Sequence, residues 1–244
     1  MKDNFSKQAE SYAKFRPGYP DELFHFLFSL AAEKKAAWDC GTGNGQVAFQ
    51  LAKQFDEVYA TDISASQITN AVSKENIRYS KVSAEETAFS GNAFDMITVG
   101  QAIHWFNFEK FYKEVNRTLK PGGYIAVFGY GLLKIEKEID LIITDFYKNT
   151  TGPYWDAERK YIDENYETIP FPFREIKAPI FNSECNWGLE AVAGFLNTWS
   201  AVQHYIKANN KNPVDSLVAT LKNLWASNEK KDVSFPIFMR VGKK

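Results

Sequence analysis

The chain has 244 residues, of which 45% are hydrophobic and 24% charged, with 29 Lys+Arg against 30 Asp+Glu and a formal net charge of −1. This is ordinary globular usage, so a disordered, collagen-like or low-complexity chain is excluded, and a length near one to two units of about 150 residues suits a single α/β domain. No basic excess or stripe marks a nucleic-acid binder, and no apolar stretch approaches the roughly 18 residues of a membrane span.

Two cysteines, Cys40 and Cys185, lie too far apart in sequence for a zinc knuckle or a disulfide framework. With no apolar leader at the N-terminus, the expectation is a cytoplasmic protein with reduced thiols. Aromatic residues are frequent, at 16%. A large packed core and an enclosed pocket for an organic ligand both account for that.

In chain order, residues 1–20 are polar and aromatic and end in FRPGYP, where Pro17, Gly18 and Pro20 punctuate a turn. Asp21 reads as an N-cap for a helix over ELFHFLFSLA. AAWDC (36–40) is a strand candidate that runs into GTGNG (41–45), and QVAFQLAKQF (46–55) has helical spacing. EVYATDIS (57–64) reads as a second strand, SASQITNAVSKE (64–75) as a helix capped by Ser64, and IRYSKVSAEE (77–86) as a third strand with its loop. A buried strand is predicted at about 94–99, a helix over 108–123 stopped by Pro121 and two glycines, and a fifth strand over 124–131. This alternation predicts a parallel sheet with helices on both faces.

Residues 132–170 read as a helical insertion capping the sheet. They are followed by a sixth strand over 173–185, a long amphipathic helix over 189–208, a helix over 213–227 and a closing strand over 232–243, whose Pro236 points to an edge or a bulge. The predicted organisation is one domain over 1–244. It comprises an N-terminal cover segment (1–20), a core (21–131), a substrate-side region (132–231) and a last strand (232–244).

The chemistry is concentrated in Trp38-Asp39-Cys40-Gly41-Thr42-Gly43-Asn44-Gly45-Gln46, a strand entering a glycine turn that opens a helix. Glycines there permit positive φ and close approach of a nucleotide-type cofactor. Gln46 stands where a dinucleotide fingerprint needs its third glycine, and the Asp39 carboxylate would repel a pyrophosphate, which disfavours an NAD-dependent oxidoreductase. A cationic ligand without phosphate fits better, and S-adenosylmethionine is one. Asp62, at the end of the second strand, is placed to bond two ribose hydroxyls; its bland role is a helix cap.

DCGTGNG, ATDIS, FDMITVGQAIHWF and LKPGG resemble the motifs of class I S-adenosylmethionine-dependent methyltransferases. SYAKFRPGYP, QAIHWF and TWSAVQHYIK are similar to the trans-aconitate-methyltransferase-like, small-molecule branch. The resemblance implies a Rossmann-like, doubly wound sheet of seven strands, the last antiparallel, with S-adenosyl-L-methionine as cofactor, no metal, and a small organic molecule, by preference a carboxylic acid, as acceptor. It also implies that Gly41, Thr42, Gly43 and Gly45 pass under the cofactor, that Asp39 serves its ammonium end, and that Asp62 holds the ribose with Ile63 on the adenine. Ser83, Ala84 and Glu85 would lie at the adenine edge, Gln101 near the methyl group, and Tyr12 and Arg16 over the cofactor carboxylate.

His104 and Trp105 either pack in the loop or face the acceptor, where a neutral imidazole can act as a base. His25 reads as structural, and His204 as solvent-facing or pocket-lining. Trp155, with Tyr154, reads as a lid or a surface loop. A protein that keeps the cofactor fold without catalysis is the alternative function.

Overall fold

Eight strands form one sheet in the order β3-β2-β1-β4-β5-β8-β6, with β7 also paired to β8, in a computed structural model that describes residues 15–244. The first half follows the predicted alternation: α1 (Asp21–Leu30), β1 (Ala36–Cys40), α2 (Gln46–Leu51), β2 (Glu57–Asp62), α3 (Ala65–Thr69), β3 (Ile77–Lys81), β4 (Phe94–Gly100), α4 (Phe108–Thr118) and β5 (Leu119–Tyr130). β1 to β5 are parallel neighbours. Side chains alternate strictly between two apolar layers. Met96, Ala126 and Phe128 lie on one face, and Ile97, Val99, Ile125 and Val127 on the other. A sheet covered on both faces needs such continuous apolar strands, and β4 is accordingly buried from Phe94 to Val99.

The second half holds α5 (Lys137–Asp145), α6 (Arg159–Asp163), β6 (Arg174–Ile176), β7 (Phe181–Trp187), α7 (Leu189–Asn197), α8 (Ser200–Asn209), α9 (Pro213–Leu221) and β8 (Lys231–Lys243). One apolar cluster runs from Leu23 and Leu27 of α1 along one face of the sheet to Ile139, Val192, Trp199 and Leu217.

Several boundaries differ from the predicted ones, each for a local reason. The predicted sixth strand is two segments, β6 and β7, which pair antiparallel with opposite ends of β8; Pro179, lacking an N–H, lies in the gap between them. The seven expected ribbons are therefore present with one of them broken. The helix predicted to run to residue 123 ends at Thr118, because Leu119 already pairs with Phe94, and Lys120–Gly123 bulge out before Tyr124 rejoins β4 opposite Met96. The predicted 189–208 helix breaks at Thr198 and Trp199.

β8 is an interior strand, not an edge. Pro236 is tolerated there because its carbonyl accepts from Gly131, just past the last β5 partner at Tyr130, so the missing donor falls where the ladder ends. Asp21 is the first helical residue rather than the cap, which is Pro20. Ser64 does cap α3, accepting from the Gln67 amide. His25 is exposed on α1 and supports no core. Among the described residues, no helix is long and apolar enough to cross a membrane.

Candidate active site

The strand order reverses direction between β1 and β4, and in open α/β sheets ligands occupy the crevice at that switch point, outside the carboxyl ends of the strands. The loops that leave β1 and β4 meet there. Gly41, Gly43 and Gly45 all have positive φ, at 64°, 56° and 81°. Their surroundings differ. A Cβ on Gly41 would come 2.7 Å from the Ala102 Cβ, and one on Gly45 would come 2.0 Å from the Tyr79 hydroxyl, so both are packed from within. A Cβ on Gly43 would meet nothing closer than the Gln67 Oε1 at 4.0 Å. Gly43 is thus the glycine that opens onto free space.

That space is a small cleft of about 60 Å³, lined by Arg16, Tyr19, the loop Gly41–Asn44, Gln101 and Tyr130. Asp62 latches the loop from outside. One carboxylate oxygen accepts from the Gly43 amide at 2.9 Å and the other from the Ser64 amide at 2.8 Å. Cap duty belongs to Ser64 instead.

Asp39 departs from its expected place. Its carboxylate lies beneath the loop, 1% exposed, accepting from the Thr42 hydroxyl at 2.5 Å and the Thr98 hydroxyl at 2.8 Å. Burial pushes its pKa up to about 6, against the pull of the two threonine bonds. A carboxyl whose pKa is raised by folding favours the fold while protonated, and that contribution fades as pH climbs from the ordinary 3.8 through 6. The full difference is on the order of 3 kcal/mol. Asp39→Asn is therefore expected to flatten the fall in melting temperature between about pH 4 and pH 7, relative to the parent protein. A parallel pair of melting curves would show that Asp39 is not the group responsible.

Gln101 has φ 53° and folds back on β5, its amide oxygen accepting from the Tyr130 amide at 2.8 Å. With Arg16 it also lines a second cavity, of about 40 Å³, which the first therefore adjoins. His104, Trp105, Trp155, Arg159 and Trp199 contribute to the second cavity. Arg16 donates to the Tyr130 hydroxyl at 2.8 Å and lies against the Phe195 ring. Arg159 stacks on Trp155, its guanidinium carbon 4.4 Å from the ring centre, and its Nε donates to the Tyr147 hydroxyl at 2.7 Å. Among the described residues, its two terminal nitrogens carry no hydrogen bond.

His104 is 4% exposed, with Nδ1 3.0 Å from the Tyr166 hydroxyl. Burial first, then the charges of Arg159 and Arg16, pull its pKa down to about 3.

The structure thus brings Arg16, Gly41, Thr42, Gly43 and Gln101 to one cavity, and His104 and Trp105 to the other. It does not bring Asp39, Gly45, Asp62, Ile63, Ser83, Ala84 or Glu85 to either lining; Ser83 and Glu85 bond each other, and Glu85 also accepts from the Asn107 amide. Tyr12 lies outside the described residues. His204 binds the Tyr154 carbonyl and stands behind Asp156, in neither lining, and Trp155 is a wall rather than a surface loop residue. Sequence reasoning missed Tyr130, Arg159, Trp199 and Tyr166. Arg159 sits in a segment with no motif, and Trp199, although it falls within TWSAVQHYIK, carries no signal of its own beyond the high aromatic content.

The comparisons with known proteins agree with this geometry. Residues 38–127 match a family model described as a methyltransferase domain. A Dictyostelium discoideum protein named as a methyltransferase is 34% identical over 250 residues, covering 99% of this chain and 95% of the relative. A Saccharomyces cerevisiae protein named as an S-adenosylmethionine-dependent methyltransferase is 26% identical, with 68% of this chain and 59% of that protein covered. Among solved structures, a type II methyltransferase from Anaeromyxobacter dehalogenans superposes with a TM-score of 0.87 at 33% identity, covering 94% of this chain and 98% of the other. The chain belongs to the class I S-adenosylmethionine-dependent methyltransferases. S-Adenosylmethionine is its cofactor, and the oxidoreductase alternative falls away.

Proposed function

We propose that the protein methylates a carboxylate of a small organic acid, giving a methyl ester and S-adenosylhomocysteine. The observation that carries this reading is the Arg159 guanidinium, with its terminal nitrogens unbonded among the described residues, on the wall of a cavity that adjoins the glycine-loop cavity through Arg16 and Gln101. A guanidinium fork matches a carboxylate bidentately. Trp105, Trp155 and Trp199 supply apolar faces for the rest of the molecule. The resemblance of SYAKFRPGYP and QAIHWF to the small-molecule branch supports the same reading.

In this proposal Gly43 and its neighbours pass under the cofactor, Asp62 holds the ribose with Ile63 beside the adenine, and Arg16 covers the boundary between cofactor and acceptor. The open side of Gly43 and the cleft beside it support this reading. S-Adenosylmethionine supplies an electrophilic methyl group on a cationic sulfur. The chain's contribution is alignment and exclusion of water.

A carboxylate takes the methyl group without losing a proton, so no base is required, and the His104 environment suits that. An imidazole with a pKa of about 3 is neutral at working pH but too weak a base to deprotonate an amine or phenol efficiently. His104→Gln is expected to retain kcat/KM within about tenfold, with no inflection lost between about pH 5 and 9.

The reading is tested by incubating the enzyme with S-adenosylmethionine and a panel of small carboxylic acids, amines, phenols and thiols, with methylated products read by mass spectrometry. Esters from acids support it. Methylation of amines, phenols or thiols alone overturns it, and the alternative of a non-catalytic cofactor-binding protein predicts no product from any class.

A further inference from the structure

The left-handed backbone of Tyr166 is not explained by the fold alone. α6 closes with two successive left-handed residues, Asn165 at φ 51° and Tyr166 at φ 63°. Asn tolerates that region, whereas a bulky aromatic there is an outlier, and such outliers cluster at functional sites. Tyr166 is nevertheless wholly buried and fastened on several sides. Its amide donates to the Tyr161 carbonyl at 2.7 Å, its carbonyl accepts from Arg240 Nη1 at 3.0 Å, and its ring stands edge-on to Phe238 at 4.8 Å. This over-determined placement delivers the hydroxyl to His104 Nδ1. No other group among the described residues bonds the imidazole, which leaves Nε2 as the ring nitrogen available to the cavity that His104 lines.

A phenol is a stronger hydrogen-bond donor than acceptor, and a neutral imidazole nitrogen without a proton is a good acceptor. We propose that Tyr166 is a positioning residue that donates to Nδ1 and so fixes His104 as the Nε2–H tautomer, a neutral donor aimed at the acceptor. The role as a donor to a carboxylate rests on the proposed substrate class; the tautomer does not. The cations facing the imidazole favour the neutral ring, and the Tyr166 hydroxyl selects between its two tautomers. Arg16 and Arg159 oppose its protonation, and Asp156 is the acidic residue that lines the same cavity. A donor of this sort binds the acceptor anion more strongly than the transition state, in which the oxygen has given up part of its negative charge. Its loss therefore weakens KM rather than kcat.

The test is ¹⁵N NMR of the ring nitrogens in the enzyme with S-adenosylhomocysteine added, aided by there being three histidines in the chain. The parent protein is expected to show Nδ1 unprotonated and Nε2 protonated, unchanged from about pH 5 to 9. Tyr166→Phe keeps the packing ring, and is expected to give mixed tautomers and to raise KM for a carboxylic-acid acceptor about three- to tenfold, with kcat within about threefold. A protonated Nδ1 in the parent protein overturns the proposal, as do ring shifts in Tyr166→Phe that match the parent. The parent spectrum decides even if the variant fails to fold. It needs no acceptor, so an error in the substrate class is read separately, from the panel of acceptors.

Discussion

Asp62→Ala is expected to raise the dissociation constant for S-adenosylhomocysteine about 10- to 150-fold, as measured by calorimetry. The proposed ribose bonds are hydrogen bonds to a charged acceptor, worth roughly 1.5–3 kcal/mol. A second effect adds to this. The same carboxylate accepts from the Gly43 and Ser64 amides, so its removal frees the turn that presents Gly43 to the cavity and loosens the entry to α3. The two effects separate in the variant's melting temperature without ligand, which reports the latch, and in the ligand-induced shift, which reports the ribose contact. An unchanged dissociation constant in a folded variant would remove Asp62 from the cofactor site and leave it as a loop anchor.

The cofactor half of the molecule could be read from its residues because each signal there has a local cause. The strand AAWDC occupies the predicted residues, since an apolar run ended by a glycine with positive φ has few alternatives. Ser64 was found as a cap because capping uses one side chain and one amide three residues away. The acceptor half was less readable because its causes are long-range. Arg159 meets Trp155 close in sequence, but the Trp199 that completes the wall comes from the break between α7 and α8. Tyr166 reaches His104 across 62 residues.

Asp39 shows a different limit. A carboxylate at a strand end beside a glycine loop is equally compatible with facing the ligand and with bracing the loop. Thr98, on the adjacent strand β4, turns it to the second role. That pairing depends on register between β1 and β4, which spacing within β1 cannot reveal.

Arg159 carries the second large effect. In a folded Arg159→Ala variant, kcat/KM for a carboxylic-acid acceptor is expected to fall about 10²- to 10³-fold, while the affinity for S-adenosylhomocysteine stays within about twofold. Truncating one partner of a shielded charge pair typically costs about 2–5 kcal/mol, since the other charge is left without compensation. The guanidinium is shielded by two adjacent rings: Trp155 lies 4.4 Å and Tyr147 5.0 Å from its central carbon, and its side chain is 16% exposed. The stacking also fixes the plane in which the terminal nitrogens present their protons, so charge alone does not replace it. Arg159→Lys is expected to recover less than about a tenth of the lost activity, because an ammonium offers neither the planar fork nor the stacked face. Full recovery by lysine would reduce the residue to a diffuse positive field. A fall in cofactor affinity equal to the fall in kcat/KM would move Arg159 from the acceptor side to the cofactor side. Activity of Arg159→Ala within twofold of the parent, on an acid that the parent methylates, would separate the acceptor carboxylate from this arginine altogether.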